Sequence, residues 1–307
     1  MTNIVFFGTP HFVIPVLETL VSLPYRLAAV VTVPDKPQGR KQGLVPPPVK
    51  EWAQNHTIIA FQPEKLDGIF VATLQKLNPT IGIIAAYGCI IPKSVLDVFP
   101  KGVLNIHPSL LPRWRGPSPV QTAIAAGDTT TGVSIMLTDE YMDHGPVLIQ
   151  QETALNGTET GSELTEKLFR SGAELLKQTL PRWLDGKIVP REQDHAQMTS
   201  TKILKRENGR LDFSKSAEEL RRLVRAYTPW PGTFFELPKI GRIKVLTAWL
   251  KKEKPDKPPG TFIKTDDGFA IVCKEEMLFP SVIQQEGRKP ISANVFAKGH
   301  PDLFIEG

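Results

Sequence analysis

The amino-acid sequence predicts an α/β fold: a mainly parallel sheet with helices on both faces, followed by a small C-terminal β-barrel. Apolar runs rich in Ile and Val alternate with helix-like segments over the first two-thirds of the chain, which is typical of parallel sheets. The last third contains short alternating segments separated by Gly and Pro turns, which is typical of a barrel. A polar, mixed stretch between these regions predicts a linker.

The N-terminal region begins with the apolar strand Ile4-Val5-Phe6-Phe7, and the turn Gly8-Thr9-Pro10 separates it from a segment with helical spacing. The chain has neither a GxGxxG fingerprint nor a Walker loop, so neither NAD nor ATP is indicated. Further strands are predicted at Ile/Val runs, and helices where apolar residues recur every three or four positions. In chain order, the predicted strands are residues 4–7, 27–33, 80–86, 103–106, 133–137 and 147–151. The predicted helices are residues 12–23, 49–55, 66–77, 120–126 and 161–184.

The C-terminal region is predicted to begin with one helix between residues 211 and 227, which carries Arg221, Arg222 and Arg225. Alternating apolar and polar residues then predict strands at residues 233–237, 242–250, 261–264, 269–273 and 277–283. We therefore expect a catalytic domain at residues 1–188, a linker at residues 189–206 and a C-terminal domain at residues 207–307.

Composition indicates an ordinary soluble globular protein, because 41% of the 307 residues are apolar and 22% are charged. No secretory leader precedes the first strand and no apolar run reaches the length of a membrane span, so we expect a cytoplasmic location without membrane contact. Cys89 and Cys273 lie far apart without metal-ligand spacing. Neither a disulfide framework nor a zinc site is therefore predicted.

Charge is distributed unevenly along the chain. Residues 1–200 carry 17 Lys and Arg against 18 Asp and Glu, whereas residues 201–307 carry 20 against 14. The net charges are thus −1 and +6. A basic C-terminal third is compatible with a polyanion partner and equally with a basic solvated surface. The loop of residues 34–48, rich in Gly and Pro, is long for a compact domain, which is typical of either a functional or a simple surface loop.

One short strand carries two polar groups that are suited to bind a carbonyl oxygen. Residues 102–107 form an apolar run that ends at Pro108, and Asn105 and His107 are two positions apart on it. Their side chains therefore leave the same face of the strand. Taken alone, such a pair is weak, since a single histidine is more often structural. A carboxylate partner is available at residues 137–146, where spacing does not separate Asp143 from Asp139 or Glu140.

The stretch from Asn105 to Pro119 resembles the active-site signature of the 10-formyltetrahydrofolate-dependent formyltransferase family. The similarity extends over nearly the whole chain and is closest to the members that formylate methionyl-tRNA. Besides the signature, it rests on four segments: residues 7–10, 34–40, 86–88 and 229–232. Two positions depart from the family pattern, with Met142 in place of Leu and Phe213 in place of Trp.

The resemblance implies a Rossmann-like catalytic domain, an OB-like C-terminal barrel that binds tRNA, and residue roles at specific positions. It implies that the catalytic residues are Asn105, His107 and Asp143. It implies that the folate site is formed by Ser109, Leu110, Leu111, Pro112, Tyr87 and Gly88. It implies that the contacts to tRNA are made by Lys36, Arg40 and Lys41, with Arg40 as the key contact. No metal is expected.

The expected activity is transfer of the formyl group from 10-formyltetrahydrofolate to the α-amino group of methionyl initiator tRNA, by a monomer. In this hypothesis Asn105 and His107 donate hydrogen bonds to the developing oxyanion, and Asp143 orients the imidazole and takes up a proton. One alternative is a related formyltransferase that acts on a small amine, such as glycinamide ribonucleotide or a nucleotide amino sugar. A second alternative is a folate- or RNA-binding module that has lost the reaction.

Overall fold

The structure, a computed structural model, describes residues 1–38, 43–238, 240–253 and 256–304. Contacts within the chain divide it into two compact units. The first unit comprises residues 1–119, 130–154 and 165–202, and the second comprises residues 120–129, 155–164 and 203–307. The domain boundaries predicted from the sequence, at residues 188 and 206, stay a prediction.

The first unit is built on a seven-stranded sheet with the order β5-β2-β1-β6-β7-β8-β9. The strands of this unit are β1 (Asn3–Gly8), β2 (Arg26–Val31), β3 (Lys36–Gln38), β4 (Gly43–Val45), β5 (Ile59–Phe61), β6 (Ile81–Ala85), β7 (Val103–His107), β8 (Thr130–Leu137) and β9 (Val147–Ala154). Strands β5, β2, β1, β6 and β7 pair in parallel, while β8 and β9 are antiparallel. The predicted mainly parallel sheet is thereby confirmed.

Helices alternate with these strands along the chain, and the helical residues within 120–129 and 155–164 belong to the second unit. They are α1 (Ile14–Ser22), α2 (Pro48–Asn55), α3 (Gly68–Gln75), α4 (Lys93–Leu96), α5 (Pro119–Ala126) and α6 (Gly161–Leu184). Local sequence explains several starts: α1 and α2 have proline in their first turn, and the Asp67 carboxylate accepts hydrogen bonds from the backbone N–H groups of Ile69 and Phe70 to cap α3. Within the described residues, no helix is both long and apolar enough to cross a bilayer.

The central strand β1 lies in the core of the first unit. Its residues Ile4–Phe7 are completely buried, as expected for a parallel strand that is covered on both faces. Phe7 packs edge-on against Tyr87 and Phe99, with ring centroids 5.6 and 6.0 Å away. This packing fixes the segment that follows β6 against the carboxyl end of β1, which is the edge of the sheet where ligands bind in α/β folds.

The second unit is an antiparallel sheet curved over two helices. Its elements are α7 (Ala217–Ala226), β10 (Thr233–Leu237), β11 (Gly241–Lys251), β12 (Phe262–Thr265), β13 (Gly268–Val272), β14 (Met277–Gln285), β15 (Ile291–Ser292) and α8 (Ala293–Gly299). The strand order is β10-β11-β14-β13-β12, with β15 on β14. The register of β11 against β14 shifts twice near Thr247, and such bulges bend a strand. The predicted small β-domain is thus confirmed, as a half-barrel in the part of the chain described.

Two parts of the chain differ from the sequence-based expectation. The loop predicted at residues 34–48 contains the antiparallel pair β3 and β4, and the short elements β5, α4, β15 and α8 were not predicted. Strands of two or three residues and helices of four to seven residues show too few positions for a recognisable period. The strands β5 and β15 form by pairing with β2 and β14.

Candidate active site

Asn105 and His107 project from the end of β7, beside the turn between β8 and β9 that carries Asp143. The Asn105 amide donates a hydrogen bond from Nδ2 to Asp143 Oδ1 at 3.1 Å. His107 Nδ1 lies 3.6 Å from the same oxygen. The structure therefore brings the three predicted catalytic residues together at one point of the sheet edge. Their roles in a reaction stay a prediction.

The His107 imidazole is held at both ring nitrogens and is only 4% exposed. Its Nε2 lies 3.0 Å from the backbone carbonyl oxygen of Trp114. Because a carbonyl oxygen only accepts, Nε2 must carry the proton in this arrangement. The 3.6 Å between Nδ1 and Asp143 exceeds an ordinary hydrogen bond but keeps the carboxylate close enough to interact with a charged ring.

The Asp143 carboxylate is fixed by donors on both oxygens. Oδ1 accepts from Asn105, and Oδ2 accepts from the backbone N–H of Gly116 at 2.8 Å. Asp143 itself has a left-handed backbone, with φ of 49°. Asp and Asn adopt that conformation more readily than other non-glycine residues. The residue type thus suits both the backbone and the donors around it.

The other two carboxylates of this turn do not join the group. Asp139 accepts from the Tyr141 backbone N–H at 3.0 Å and pairs with His144 Nδ1 at 2.6 Å. Glu140 is exposed. Sequence spacing left these residues and Asp143 as equal candidates, and the geometry favours Asp143.

Residues Ser109 to Pro112, predicted to form part of the folate site, follow β7 and turn their side chains partly inward. The Ser109 side chain is completely buried, and its hydroxyl donates to the Arg113 carbonyl at 2.6 Å. Leu111 is buried against Met136 and Val147. Leu110 and Pro112 are half-buried. Any ligand contact here is therefore expected from Leu110, Pro112 and the backbone, not from the serine hydroxyl.

Ser134 on β8 holds residues 109–111 in place through hydrogen bonds of its hydroxyl group. Its hydroxyl donates to the Ser109 carbonyl at 2.6 Å and accepts from the Leu111 backbone N–H at 3.0 Å and from Gln150 Nε2 at 2.8 Å. The side chain is completely buried. All of its hydrogen-bonding capacity is therefore used to hold residues 109–111.

Replacing Ser134 with alanine is expected to lower the free energy of unfolding by about 1–3 kcal/mol, because it leaves the buried N–H of Leu111 without its partner. Urea denaturation measures the change. Ser281 on β14 is exposed and makes a matched control, and its replacement by alanine should stay within about 0.5 kcal/mol of the parent. Equal stability of the Ser134 variant and the parent would contradict this role.

Tyr87 and Gly88 lie two and three residues after the end of β6, and β6 pairs in parallel with β7. Both residues therefore lie at the same edge of the sheet as Asn105 and His107. The Tyr87 ring is buried, and this burial raises the pKa of its hydroxyl to about 12. Gly88 is exposed, and a methyl group added at its Cα would meet no atom within 4 Å. A ligand at this position would therefore meet the exposed backbone of Gly88, while the ring of Tyr87 is part of the core.

Of the three residues predicted to contact tRNA, the structure describes one, Lys36 on β3. Lys36 is exposed at the start of β3. Arg40 and Lys41 lie outside the described residues. The base of the hairpin is anchored by an ion pair of 2.8 Å between Lys50 and Asp35. Hydrogen bonds from Lys50 and Gln62 hold the pKa of the Asp35 carboxyl below its ordinary value.

The predicted linker contributes residues to the site that the sequence did not identify. The Thr199 hydroxyl accepts from the Trp114 backbone N–H at 2.9 Å, and the Thr199 carbonyl accepts from the Arg115 backbone N–H at the same distance. Gln193 is bonded to the Arg115 side chain and to the backbone of the Asp143 turn. The polar, mixed composition of residues 189–206 predicted a solvated linker, so no signal in the sequence indicated these contacts.

A cavity of about 290 Å³ borders Gly116, the residue whose backbone N–H binds Asp143. It is lined by Arg115, Gly116, Tyr141, Met142, His144, Met198, Ser200 and Thr201. The exposed fractions of Tyr141, Met142 and Met198 are 63%, 55% and 45%, which is high for large apolar side chains and typical of a ligand-binding surface. Burial lowers the pKa of the Arg115 guanidinium, against the opposing effect of Asp143 and Asp139. Among the described residues, no group of three His, Cys, Asp or Glu side chains is arranged to hold a metal ion.

Comparison with known proteins places the chain in a family. The formyl transferase family matches residues 2–180, and the formyl transferase C-terminal domain matches residues 203–301. A methionyl-tRNA formyltransferase of Chloroflexus aurantiacus is 44% identical over 306 residues, covering 98% of each chain. The methionyl-tRNA formyltransferase of Marinobacter nauticus is 40% identical over 307 residues, covering 99% of this chain and 98% of that protein.

Solved structures share the fold at lower identity. An N-formyltransferase from Helicobacter canadensis, in complex with folinic acid and dTDP-3-aminofucose, has a TM-score of 0.69 and 18% identity, covering 91% of this chain and 99% of that one. A methionyl-tRNA formyltransferase from Clostridium thermocellum has a TM-score of 0.58 and 19% identity, covering 83% and 96%. The family resemblance identified from the sequence is confirmed: the chain belongs to the family of formyl transferases that includes the methionyl-tRNA formyltransferases.

Proposed function

We propose that the protein transfers the formyl group of 10-formyltetrahydrofolate to the free α-amino group of methionyl initiator tRNA, giving N-formylmethionyl-tRNA and tetrahydrofolate for translation initiation in the cytoplasm. The observation that carries this proposal is the convergence of Asn105, His107 and Asp143 at one end of β7. Similarity of 40–44% over the full chain to proteins named methionyl-tRNA formyltransferase supports the choice of substrates.

The proposed reaction needs no activated side-chain nucleophile. An ordinary α-amino group has a pKa of about 8, and the ester of an aminoacyl group withdraws electrons and lowers the pKa of its amine further. A substantial fraction of that amine is therefore neutral and nucleophilic at physiological pH. The amine nitrogen attacks the formyl carbon, and the carbonyl oxygen becomes an oxyanion. The bond between that carbon and N10 of the folate then breaks, and N10 takes up a proton. No covalent intermediate on the enzyme is involved.

Asn105 and His107 stabilise the oxyanion in this proposal. The amide of Asn105 has two N–H groups, and one is bonded to Asp143, which leaves the other for the formyl oxygen within the contacts of the described residues. The His107 N–H at Nε2 now bonds the Trp114 carbonyl, and the formyl oxygen competes with that carbonyl for it. Preorganised donors of this kind each contribute about 10²–10³ in rate.

Asp143 handles the proton that the amine loses. Its carboxylate lies between Asn105, His107 and the backbone of Gly116, so it is held in place while it accepts the proton from the ammonium, directly or through water. The proton then returns to N10 of the leaving folate. Both protonation steps are thereby served by one carboxylate and one imidazole, without a metal.

The folate is proposed to bind between residues 109–112 and residues 87–88. These two segments follow the neighbouring parallel strands β7 and β6, so they border one crevice at the carboxyl edge of the sheet. Open space at Gly88 and the half-buried Leu110 and Pro112 support a ligand there. The cavity lined by Arg115 and Met142 offers room for the aminoacyl end of the acceptor.

The acceptor tRNA is proposed to contact the β3–β4 hairpin and the basic C-terminal unit, whose charge suits a phosphate backbone. The ion pair between Lys50 and Asp35 holds the base of the hairpin next to the exposed Lys36. Of the cations proposed to contact tRNA, the structure describes Lys36. The assignment of Arg40 and Lys41 rests on the resemblance of the sequence to the family.

Lys36→Ala and Arg40→Ala are each expected to raise the KM for methionyl-tRNA by about tenfold, because a lost hydrogen bond to a charged group is worth roughly 1.5–3 kcal/mol. The KM for the folate should stay within about twofold. Steady-state kinetics at two salt concentrations measures both constants, since phosphate contacts weaken with salt. Lys177→Ala on α6, which removes an exposed lysine, is the control. An unchanged tRNA KM would remove the hairpin from tRNA binding.

A small-amine acceptor is the competing function, and the fold neighbour from Helicobacter canadensis was solved with a nucleotide amino sugar. That neighbour is only 18% identical, whereas the methionyl-tRNA formyltransferases match at 40–44% over the whole chain, which favours the tRNA acceptor. The deciding experiment supplies 10-formyltetrahydrofolate with charged initiator tRNA, uncharged tRNA, glycinamide ribonucleotide and a nucleotide amino sugar. We expect that, of these four acceptors, only the charged initiator tRNA is formylated. Turnover of a small amine with an inert tRNA would reverse the assignment.

A further inference from the structure

Gln193 lies in the segment between α6 and α7 and is only 7% exposed. Its side-chain amide is hydrogen-bonded on both ends. The oxygen Oε1 accepts from Arg115, at 3.1 Å from Nε and at 2.7 Å from one terminal guanidinium nitrogen. The nitrogen Nε2 donates to the backbone carbonyls of Asp143 at 3.0 Å and of Gly145 at 2.7 Å. The side-chain amide of Gln193 therefore makes four hydrogen bonds, two from Arg115 and two to the backbone of the Asp143 turn.

Arg115 determines which way this amide points. A guanidinium has only donors, so the end of Gln193 that faces Arg115 must be the oxygen. The nitrogen must then face the two carbonyls of the Asp143 turn. Arg115 is 7% exposed and is held further by His195 Nδ1, at 2.8 Å from its terminal nitrogen. The orientation of the Gln193 donor is thus imposed by a buried cation.

The backbone that Gln193 holds has little freedom to relax. Asp143 has φ of 49°, a left-handed conformation that is unfavourable for most residues with a side chain. Gly145 passes so close to β8 that an added Cβ would lie 2.1 Å from the Leu137 carbonyl. A single amide donor bridges the carbonyls of both residues. The bridge therefore holds the backbone from which the Asp143 carboxylate reaches its own two donors, Asn105 and the Gly116 N–H.

We propose that Gln193 is a positioning residue for catalysis: through its two hydrogen bonds to the Asp143–Gly145 backbone, it keeps the Asp143 carboxylate aligned with Asn105 and His107. The consequence for turnover rests on the proposed function, whereas the consequence for the turn does not. Removing the donor leaves the folate crevice and the tRNA surface intact but allows the carboxylate to leave its aligned position.

Two substitutions separate this role from simple packing. Gln193→Glu keeps the size of the side chain and an acceptor for Arg115 but replaces the donor with a second carboxylate oxygen that repels the two carbonyls. A buried Arg–carboxylate pair can preserve stability, so a residue needed only to accompany Arg115 would tolerate this change. Gln193→Met keeps the approximate volume, removes all four hydrogen bonds of the side chain and adds no charge. Gln197→Ala is the control, because Gln197 lies four residues further along the same segment and is exposed.

Amide hydrogen exchange of a peptide covering residues 138–146 tests, without any substrate, whether Gln193 holds the Asp143 turn. We expect exchange at least about fivefold faster in both Gln193 variants than in the parent, and no change in the Gln197 variant, because opening of this turn is less opposed. Equal protection in the parent and in Gln193→Met would overturn the proposal. A thermal melt of each variant identifies one that fails to fold, and the other variant then decides.

Kinetics with 10-formyltetrahydrofolate and methionyl initiator tRNA tests the catalytic consequence. We expect kcat to fall by at least about tenfold in both Gln193 variants, with both KM values within about threefold of the parent. A faster-exchanging turn with kcat within twofold of the parent would overturn the positioning role. An inactive parent would instead sink the proposed function, and the exchange measurement would still decide whether Gln193 holds the turn.

Discussion

Replacing His107 with alanine is expected to lower kcat for formylation of methionyl-tRNA by at least about 10²-fold, while folate binding is retained. The imidazole carries a proton on Nε2 and faces Asp143 through Nδ1, so its loss removes both a donor to the oxyanion and a route for the proton. The folate contacts proposed at residues 87–88 and 109–112 do not involve this ring. Binding and turnover should therefore separate.

The measurement combines single-turnover kinetics with a direct binding titration of the folate. Because His107 is buried, the alanine variant leaves a cavity, and a urea titration must show that it remains folded. Free imidazole in millimolar amounts should restore part of the lost rate in this variant but not in Asp143→Asn. His56→Ala, which removes an exposed histidine after α2, is the control. A rate within a few-fold of the parent would exclude His107 from the mechanism.

Replacing Asp143 with asparagine is expected to have a similar effect on kcat, at least about 10²-fold, with little effect on backbone conformation. Asparagine accepts the left-handed φ of 49° as readily as aspartate does, so the turn can keep its shape. The new side chain has one acceptor where two donors, Asn105 Nδ2 and the Gly116 N–H, now face two acceptors. It also cannot take up a proton from the amine.

Loss of the proton acceptor should appear in the pH dependence as well as in the rate. If Asp143 accepts the amine proton, the residual rate of the variant should rise with pH, as hydroxide and buffer bases take over this step. Asp139→Asn is the matched control, because Asp139 lies in the same turn and binds His144 instead. Comparable losses in both variants would show that the turn is merely destabilised. A fully active Asp143→Asn variant would end the assignment.

Much of the fold follows from short-range patterns. The parallel strands around β1 read as continuous apolar runs because they are buried on both faces, and their helices show the period of an amphipathic face. The position of Asn105 and His107 on the same face of β7 likewise follows from the alternation of side chains along a strand. The hairpin of β3 and β4 and the edge strand β5 do not follow from such patterns, since three residues carry no period. The partner of β5 is also distant along the chain, because β5 pairs with β2.

The candidate site divides in the same way. Sequence spacing placed three carboxylates near the end of β8, and only the folded turn shows that Asp143 meets Asn105 while Asp139 meets His144. Gln193 lay in a segment whose polar composition predicted a solvated linker. A polar residue that bonds to water and one that bonds to a buried backbone look identical in a sequence. The difference lies in what surrounds each residue.

Three features could be predicted without coordinates: the class of the fold, the strand that presents an amide and an imidazole on one face, and membership of the formyl transferase family. They depend on residue types and on spacings within single elements. Three others required the folded chain: which carboxylate joins that pair, how Gln193 and Arg115 hold its turn, and which side chains of residues 109–112 point inward. Those choices depend on contacts between segments far apart in the chain, and folding alone brings such segments together.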